Sequence, residues 1–267
     1  MMDFVRGGVS LSIDDAGGAG GPVVFQHGLC GDARQTAEVF PQGSGSRRIT
    51  VECRGHGGSQ AGDPAQFSIA TFADDIAAFI EQRLTPPVIL GGISMGAAIS
   101  SRLAVLRPDL VSALILARPA WVTDAAPENM AANAQVGRLL ERFPPEEARR
   151  RFLASPLAHA FAAEAPDNLA SLIGFFAREP IAVTAALLQT ISSDGPGVSP
   201  AELGMIRVPT LVISHGRDIV HPLDHAEALA RLIPSATLRV ITAKADDRQR
   251  YALDFQAALA AFFREVS

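Results

Sequence analysis

Ser94 stands in the run Gly91-Gly92-Ile93-Ser94-Met95-Gly96, directly after the apolar segment Pro87-Val88-Ile89-Leu90 and directly before a stretch of helical character. A serine among small residues at a strand-to-helix turn is suited to nucleophilic attack on a carbonyl. The tight turn lifts its hydroxyl clear of the sheet, and the helix N-terminus favours negative charge beside it. Small neighbours are required because such a turn is strained and its backbone packs closely. An incidental Gly/Ser turn would give the same residues, but the strand before it and the helix after it favour the chemical reading.

Acyl transfer through a serine also needs donors for the oxyanion and a base for the hydroxyl. Gln26-His27-Gly28-Leu29 follows the strand-like Val23-Val24-Phe25, where a loop can turn a backbone N–H toward the nucleophile. The N–H groups of Leu29 and Met95 are therefore the candidate oxyanion hole. Arg54-Gly55-His56-Gly57-Gly58-Ser59 is a second glycine-rich loop, but it lacks the lysine and following Ser/Thr of a phosphate-binding loop. No metal-ligand spacing and no dinucleotide fingerprint is present, so neither a metal nor a cofactor is expected.

These residues need a parallel sheet to hold them. Short apolar runs alternate with amphipathic stretches, the pattern of strands joined by crossover helices. Strands are expected at 22–26, 48–52, 87–90, 113–116, 209–213 and 237–241. Ile69, Phe72, Ile76, Phe79, Ile80 and Leu84 recur at helical spacing, which predicts a helix over 68–84 with one buried stripe. Further helices are expected at 96–106, 224–232 and 248–263. Residues 119–201 change in texture to alanine-rich, proline-punctuated segments at 131–143, 145–153, 168–177 and 181–191, read as a helical insertion. The expected organisation is thus a core of 1–118 and 202–267 with a helical cap, 119–201, and one main hydrophobic core.

Strand-His27-Gly28, the Arg54–Ser59 loop, the Ser94 turn, a helical insertion and then Leu211-Val212-Ile213 leading to Asp218 resemble the α/β-hydrolase superfamily over nearly the whole chain. The resemblance implies an α/β fold with a mostly parallel eight-stranded sheet flanked by helices and covered by a lid. It also implies a Ser-Asp-His triad in that chain order. Asp218, after the strand that follows the lid, is the candidate acid, with a solvated turn aspartate as the alternative. His27 and His56 would belong to the family's structural loops, and His27 is also placed against substrate.

One feature departs from the family. Its members carry a Gly-His pair after the last strand, yet here Leu238-Arg239-Val240-Ile241 leads into Thr242-Ala243-Lys244-Ala245-Asp246-Asp247-Arg248, and no histidine follows His225. His221, three residues after Asp218 on a loop that should border the nucleophile, is the candidate replacement base, with a polar turn histidine as the alternative. His215 is expected to be buried at the strand end and His225 exposed on the next helix, while His159 lies in the insertion. Lys244 could serve only if burial depressed its pKa, and Asp246 or Asp247 would be weak bases. Non-hydrolytic chemistry on the same scaffold, or ligand binding by a protein derived from a hydrolase, would also accommodate the missing histidine.

Trp121, the only tryptophan, sits where the chain leaves the sheet; it either floors the pocket or braces the insertion against the core. Cys30 reads as a small packed residue, and Arg149-Arg150-Arg151 as a solvated helix face. The net charge of -5 offers no basic field for nucleic acid or anionic lipid. A small, largely apolar carbonyl substrate fits better. Two cysteines make no disulfide framework, and the N-terminus lacks a basic segment followed by a long apolar core. The expectation is a cytoplasmic serine esterase or lactonase, monomeric or homodimeric, using Ser94, Asp218 and His221.

Overall fold

The structure, a computed structural model, describes residues 2–266. Eight strands form one sheet: β1 (Met2–Arg6), β2 (Val9–Asp15), β3 (Gly21–Gln26), β4 (Ser46–Val51), β5 (Val88–Ile93), β6 (Val111–Ala117), β7 (Thr210–Ser214) and β8 (Ala236–Val240). Their order is β1-β2-β4-β3-β5-β6-β7-β8, and β2 alone runs against the rest. The central strands read as continuous apolar runs because both of their faces are covered; all five residues of β7 are buried.

The hairpin β1–β2 was not anticipated from the sequence. In β1 only Phe4 is buried, so no apolar run marks it. Its signal is the turn: Arg6 pairs with Val9 across Gly7-Gly8, both at positive φ, the two-residue turn that matches strand twist.

Helices cover both faces. On one lie α2 (Ile69–Arg83), α3 (Met95–Leu106) and α10 (Leu223–Leu232); on the other lie α1 (Ala33–Val39) and α11 (Arg248–Val266). The Ser68 side chain caps α2 by accepting from the Thr71 N–H, and the predicted stripe from Ile69 to Ile80 is buried. Two buried clusters result, one on each face of the sheet, in place of the single main core expected from the sequence.

Between β6 and β7 the chain is helical: α4 (Ala131–Arg142), α5 (Pro145–Leu153), α6 (Pro156–Glu164), α7 (Pro166–Gly174), α8 (Ile181–Ser192) and α9 (Pro200–Leu203). Helix α6, not expected from the sequence, starts at Pro156 with Ser155 as its cap. The first turn of α2 is tied to this segment through Asp194, whose carboxylate accepts the Ile69 N–H and whose backbone carbonyl accepts Trp121 Nε1–H. Among the described residues no helix is long and apolar enough to cross a membrane.

The chain leaves β3 toward β4 on one side and β5 toward β6 on the other, so β3 and β5 flank the point where the winding reverses. A crevice outside the carboxyl ends of the strands is expected there.

Candidate active site

Ser94 follows β5 at that crevice, with φ 57° and ψ -111°, and α3 begins at the next residue. Its N–H is held by the Ala117 carbonyl at 2.9 Å. This backbone is strained for a residue with a side chain, and close packing enforces it. A Cβ on Gly96 would lie 2.5 Å from the Gln26 carbonyl oxygen, and one on Gly92 would lie 2.6 Å from the Gly96 carbonyl carbon. The glycines are therefore needed so that the start of α3 can rest against the end of β3.

The loop after β7 brings an imidazole to the serine. His221 Nε2 lies 2.9 Å from Ser94 Oγ, and His221 Nδ1 lies 2.9 Å and 3.0 Å from the two Asp218 carboxylate oxygens. The His221 backbone N–H also donates to Asp218 Oδ1 at 2.9 Å, so one carboxylate fixes both the ring and the turn that carries it. Asn168 of α7 secures the same turn from above, its Oδ1 accepting from the N–H groups of Ile219 and Val220.

Arg118, the first residue after β6, completes the cluster. Its Nε and Nη2 donate to Asp218 Oδ2 at 3.0 Å and 2.7 Å. Arg118, Asp218 and His221 are all buried. Arg118 Nη2 also lies 3.2 Å from His221 Nδ1. A guanidinium only donates, so with Nδ1 protonated toward Asp218 the two donors share that carboxylate, and Nε2 is left to accept from Ser94.

Burial alone would raise the Asp218 carboxyl; the charge of Arg118, followed by that of His221, outweighs it and holds the group well below the usual carboxylate range. Burial pushes the His221 imidazole below its ordinary value, Asp218 opposes this, and Arg118 adds to it. At neutral pH the site therefore contains an ionised acid and a neutral imidazole in hydrogen-bond contact with the serine, as a general base must be.

Arg118, which lines the cavity and bonds Asp218, is not singled out in the sequence. The available signal was its place: a charged residue at the carboxyl end of a central strand in an open α/β sheet.

Leu29 lines the cavity above Ser94, and Met95 is the first residue of α3. Neither N–H meets a protein acceptor among the described residues, as expected at a helix start for Met95. The loop that carries Leu29 is held rigidly. Gly28 N–H donates to Gln35 Oε1 at 2.6 Å, and Cys30 N–H donates to His56 Nε2 at 3.0 Å.

His27, expected against substrate, is not among the residues that line the cavity. It is fully buried, donates from Nδ1 to the Gly28 carbonyl and accepts the Cys53 N–H at Nε2, which leaves its ring committed to joining two loops. His56 does the same between Arg54 and Cys30. Nor does Trp121 touch the cavity: it is buried and bonded to Asp194, so it braces the helical segment. The Arg54–Ser59 loop spends the Gly58 N–H on buried Glu52 and is no anion cradle.

The remaining candidates for a base are placed elsewhere. His215 is buried under the acid, its Nδ1 donating to Gly216 and its Nε2 3.6 Å from Asp218. His159 is exposed, and His225 is half-buried on α10 rather than exposed as expected. Lys244 lines the cavity but its Nζ is paired with Asp167 at 3.2 Å. Asp246 pairs with Arg217, and Asp247 accepts from the Arg250 N–H in the first turn of α11. Burial pushes the Cys30 thiol up to about 12, which leaves it protonated.

The cavity measures about 380 Å³. Its floor is built by loops following β3, β5, β6, β7 and β8, and its roof by Met130, Asn133, Asn168, Leu172, Phe175 and Arg178 from the helical segment.

A family model for the alpha/beta hydrolase fold matches residues 21–245. The chain belongs to the α/β-hydrolase family of enzymes. It is 27% identical over 239 residues to the sn-1-specific diacylglycerol lipase ABHD11 of Mus musculus, a match covering 82% of this chain and 73% of the lipase. A thermophilic esterase from Thermogutta terrifontis superposes with a TM-score of 0.73 at 25% identity, covering 99% of this chain and 97% of the esterase. Rv0554 from Mycobacterium tuberculosis does so with a TM-score of 0.69 at 26% identity, over 97% and 94% of the two chains.

Proposed function

We propose that the protein is a cofactor-independent serine hydrolase acting on a small ester, lactone or related carbonyl compound. The observation that supports this best is the unbroken chain Asp218–His221–Ser94, with 2.9 Å from carboxylate to imidazole and 2.9 Å from imidazole to hydroxyl.

In this reading His221 Nε2 takes the Ser94 proton as Oγ attacks the substrate carbonyl carbon. Asp218 stabilises the imidazolium that forms, and the Leu29 and Met95 N–H groups hold the oxyanion. The imidazolium then returns its proton to the departing alkoxide, leaving an acyl-serine. Water, deprotonated by His221, attacks that acyl group; collapse releases the carboxylic acid and restores Ser94. The helical segment 119–201 acts as the lid, contributing the roof of the cavity and limiting the water admitted around the oxyanion. The substrate is small because the cavity is small, and Ile93, Leu172, Phe175 and Val220 supply apolar wall.

The test is covalent labelling with a fluorophosphonate together with hydrolysis of short-chain nitrophenyl esters and lactones. Both should be lost in Ser94→Ala. A wild-type protein that turns over none of these compounds, yet gains melting temperature with a ligand, would instead be a binding protein on a hydrolase scaffold.

A further inference from the structure

The cavity wall carries three cationic side chains, Arg118, Arg178 and Lys244, and no acidic one. Two of the three are neutralised from behind: Arg118 by Asp218 at 2.7 Å and Lys244 by Asp167 at 3.2 Å. Arg178 is different. It donates from Nε to the Cys30 carbonyl, from Nη1 to Thr184 Oγ1 and from Nη2 to the Gly55 carbonyl, all neutral acceptors. Among the described residues no carboxylate pairs with it. A guanidinium has five N–H donors, so two remain for a ligand. With His221 neutral, the cavity therefore holds about one uncompensated positive charge.

Asn168 in the wall points to the same kind of ligand. Asn168 is 3% exposed, and its Oδ1 is occupied by two backbone N–H groups, which fixes its Nδ2 as a donor. That Nδ2 has no acceptor among the described residues. Because Asn168 lines the cavity, this donor is left to a ligand oxygen there. The donors of Arg178 and Asn168 match an acceptor-only group such as a carboxylate.

Building on the hydrolase reading, we infer that the substrate is an anionic ester or lactone: a carbonyl compound with a carboxylate at its other end, received by the free N–H groups of Arg178. The whole-molecule charge of -5 would repel such a ligand, so any preference for it has to arise in the cavity. This sharpens the expectation of a largely apolar substrate. The apolar wall would hold the linking chain and the guanidinium its end.

The inference is tested by binding, without turnover, in the Ser94→Ala variant. Monomethyl esters of succinate, glutarate and adipate would be compared by calorimetry with the corresponding dimethyl esters, which differ by one charge. At least one monoester should bind about tenfold tighter than its diester, as a charge-assisted hydrogen bond supplies. Adding Arg178→Gln should abolish the difference. Because Arg178 also ties Cys30 and Gly55 to the roof, Asp167→Asn serves as a second variant. It leaves the Arg178 bonds untouched and frees Lys244, so the preference for the monoester should grow. Equal affinity for both ester types, no measurable monoester binding, a preference that persists in Arg178→Gln, or one unmoved by Asp167→Asn would overturn the inference. Loss of the hydrolase reading would show separately, as wild-type protein that neither reacts with a fluorophosphonate nor hydrolyses any ester.

Discussion

Arg118 Nη2 lies 2.7 Å from Asp218 Oδ2, so the carboxylate that orients His221 is also the counter-ion of a buried guanidinium. The acid thus serves a guanidinium and a neutral imidazole while burial disfavours its own charge. Arg118 secures its ionisation and at the same time lowers the proton affinity of His221.

Removing Arg118 should therefore change the pH profile. In the proposed mechanism His221 acts when neutral, and its pKa lies below its ordinary value, so kcat/KM should rise with pH along a limb whose midpoint falls below about 6.5. In Arg118→Met the imidazolium loses a repelling neighbour, its pKa rises, and the limb moves to higher pH. The variant should also lose about 3–5 kcal/mol of stability in denaturant unfolding, the cost of stranding a buried charge. A limb that stays in place would separate Arg118 from the function of His221.

Stability should itself depend on pH through the buried imidazoles. Burial pushes His27, His56, His215 and His221 below their ordinary values. In the unfolded chain these groups take up protons as pH falls through about 6.5, before the folded protein does, so acidification favours unfolding. The melting temperature should be level between pH 8 and 7 and fall between pH 6.5 and 5, with each histidine contributing up to about 1.4 kcal/mol per pH unit. A level melting temperature down to pH 5 would contradict the buried, neutral assignment.

Gly96→Ala should disrupt the turn that carries Ser94. The added carbon would meet the Gln26 carbonyl at 2.5 Å, a backbone atom that cannot swing aside. A loss of about 1–3 kcal/mol is expected by thermal unfolding, with slower covalent labelling of Ser94. Unchanged stability and labelling would show that α3 need not approach β3 so closely.

Trp121→Phe separates the two readings of that residue. It removes the Nε1–H bond to Asp194 and should cost about 1 kcal/mol, as for an ordinary buried hydrogen bond, while KM for a neutral ester stays within about twofold. A large rise in KM with unchanged stability would restore Trp121 to the cavity.

What the sequence disclosed follows from how local each signal is. The Ser68–Leu84 stripe and the apolar runs of β3, β5, β6 and β7 are local patterns, and they appear where expected. The Ser94 turn is equally local, since its glycines, strand and helix adjoin in the chain. Edge strand β1 has a single buried residue and offered only its Gly7-Gly8 turn. Partnership is not local: Arg118 and Asp218 are a hundred residues apart, and only the β6–β7 pairing aligns the strand ends that carry them. For the same reason the sequence does not show that the His27 ring turns to Cys53 and the Trp121 ring to Asp194, away from the cavity.

The base on the β7 loop, in place of one after β8, is the central claim, and second-order labelling rates with a neutral fluorophosphonate test it most directly. In His221→Ala the rate at Ser94 should fall by about a hundredfold or more, whereas Lys244→Ala, at the position after β8, should change it by less than about tenfold. Labelling that persists in His221→Ala and collapses in Lys244→Ala would contradict the account.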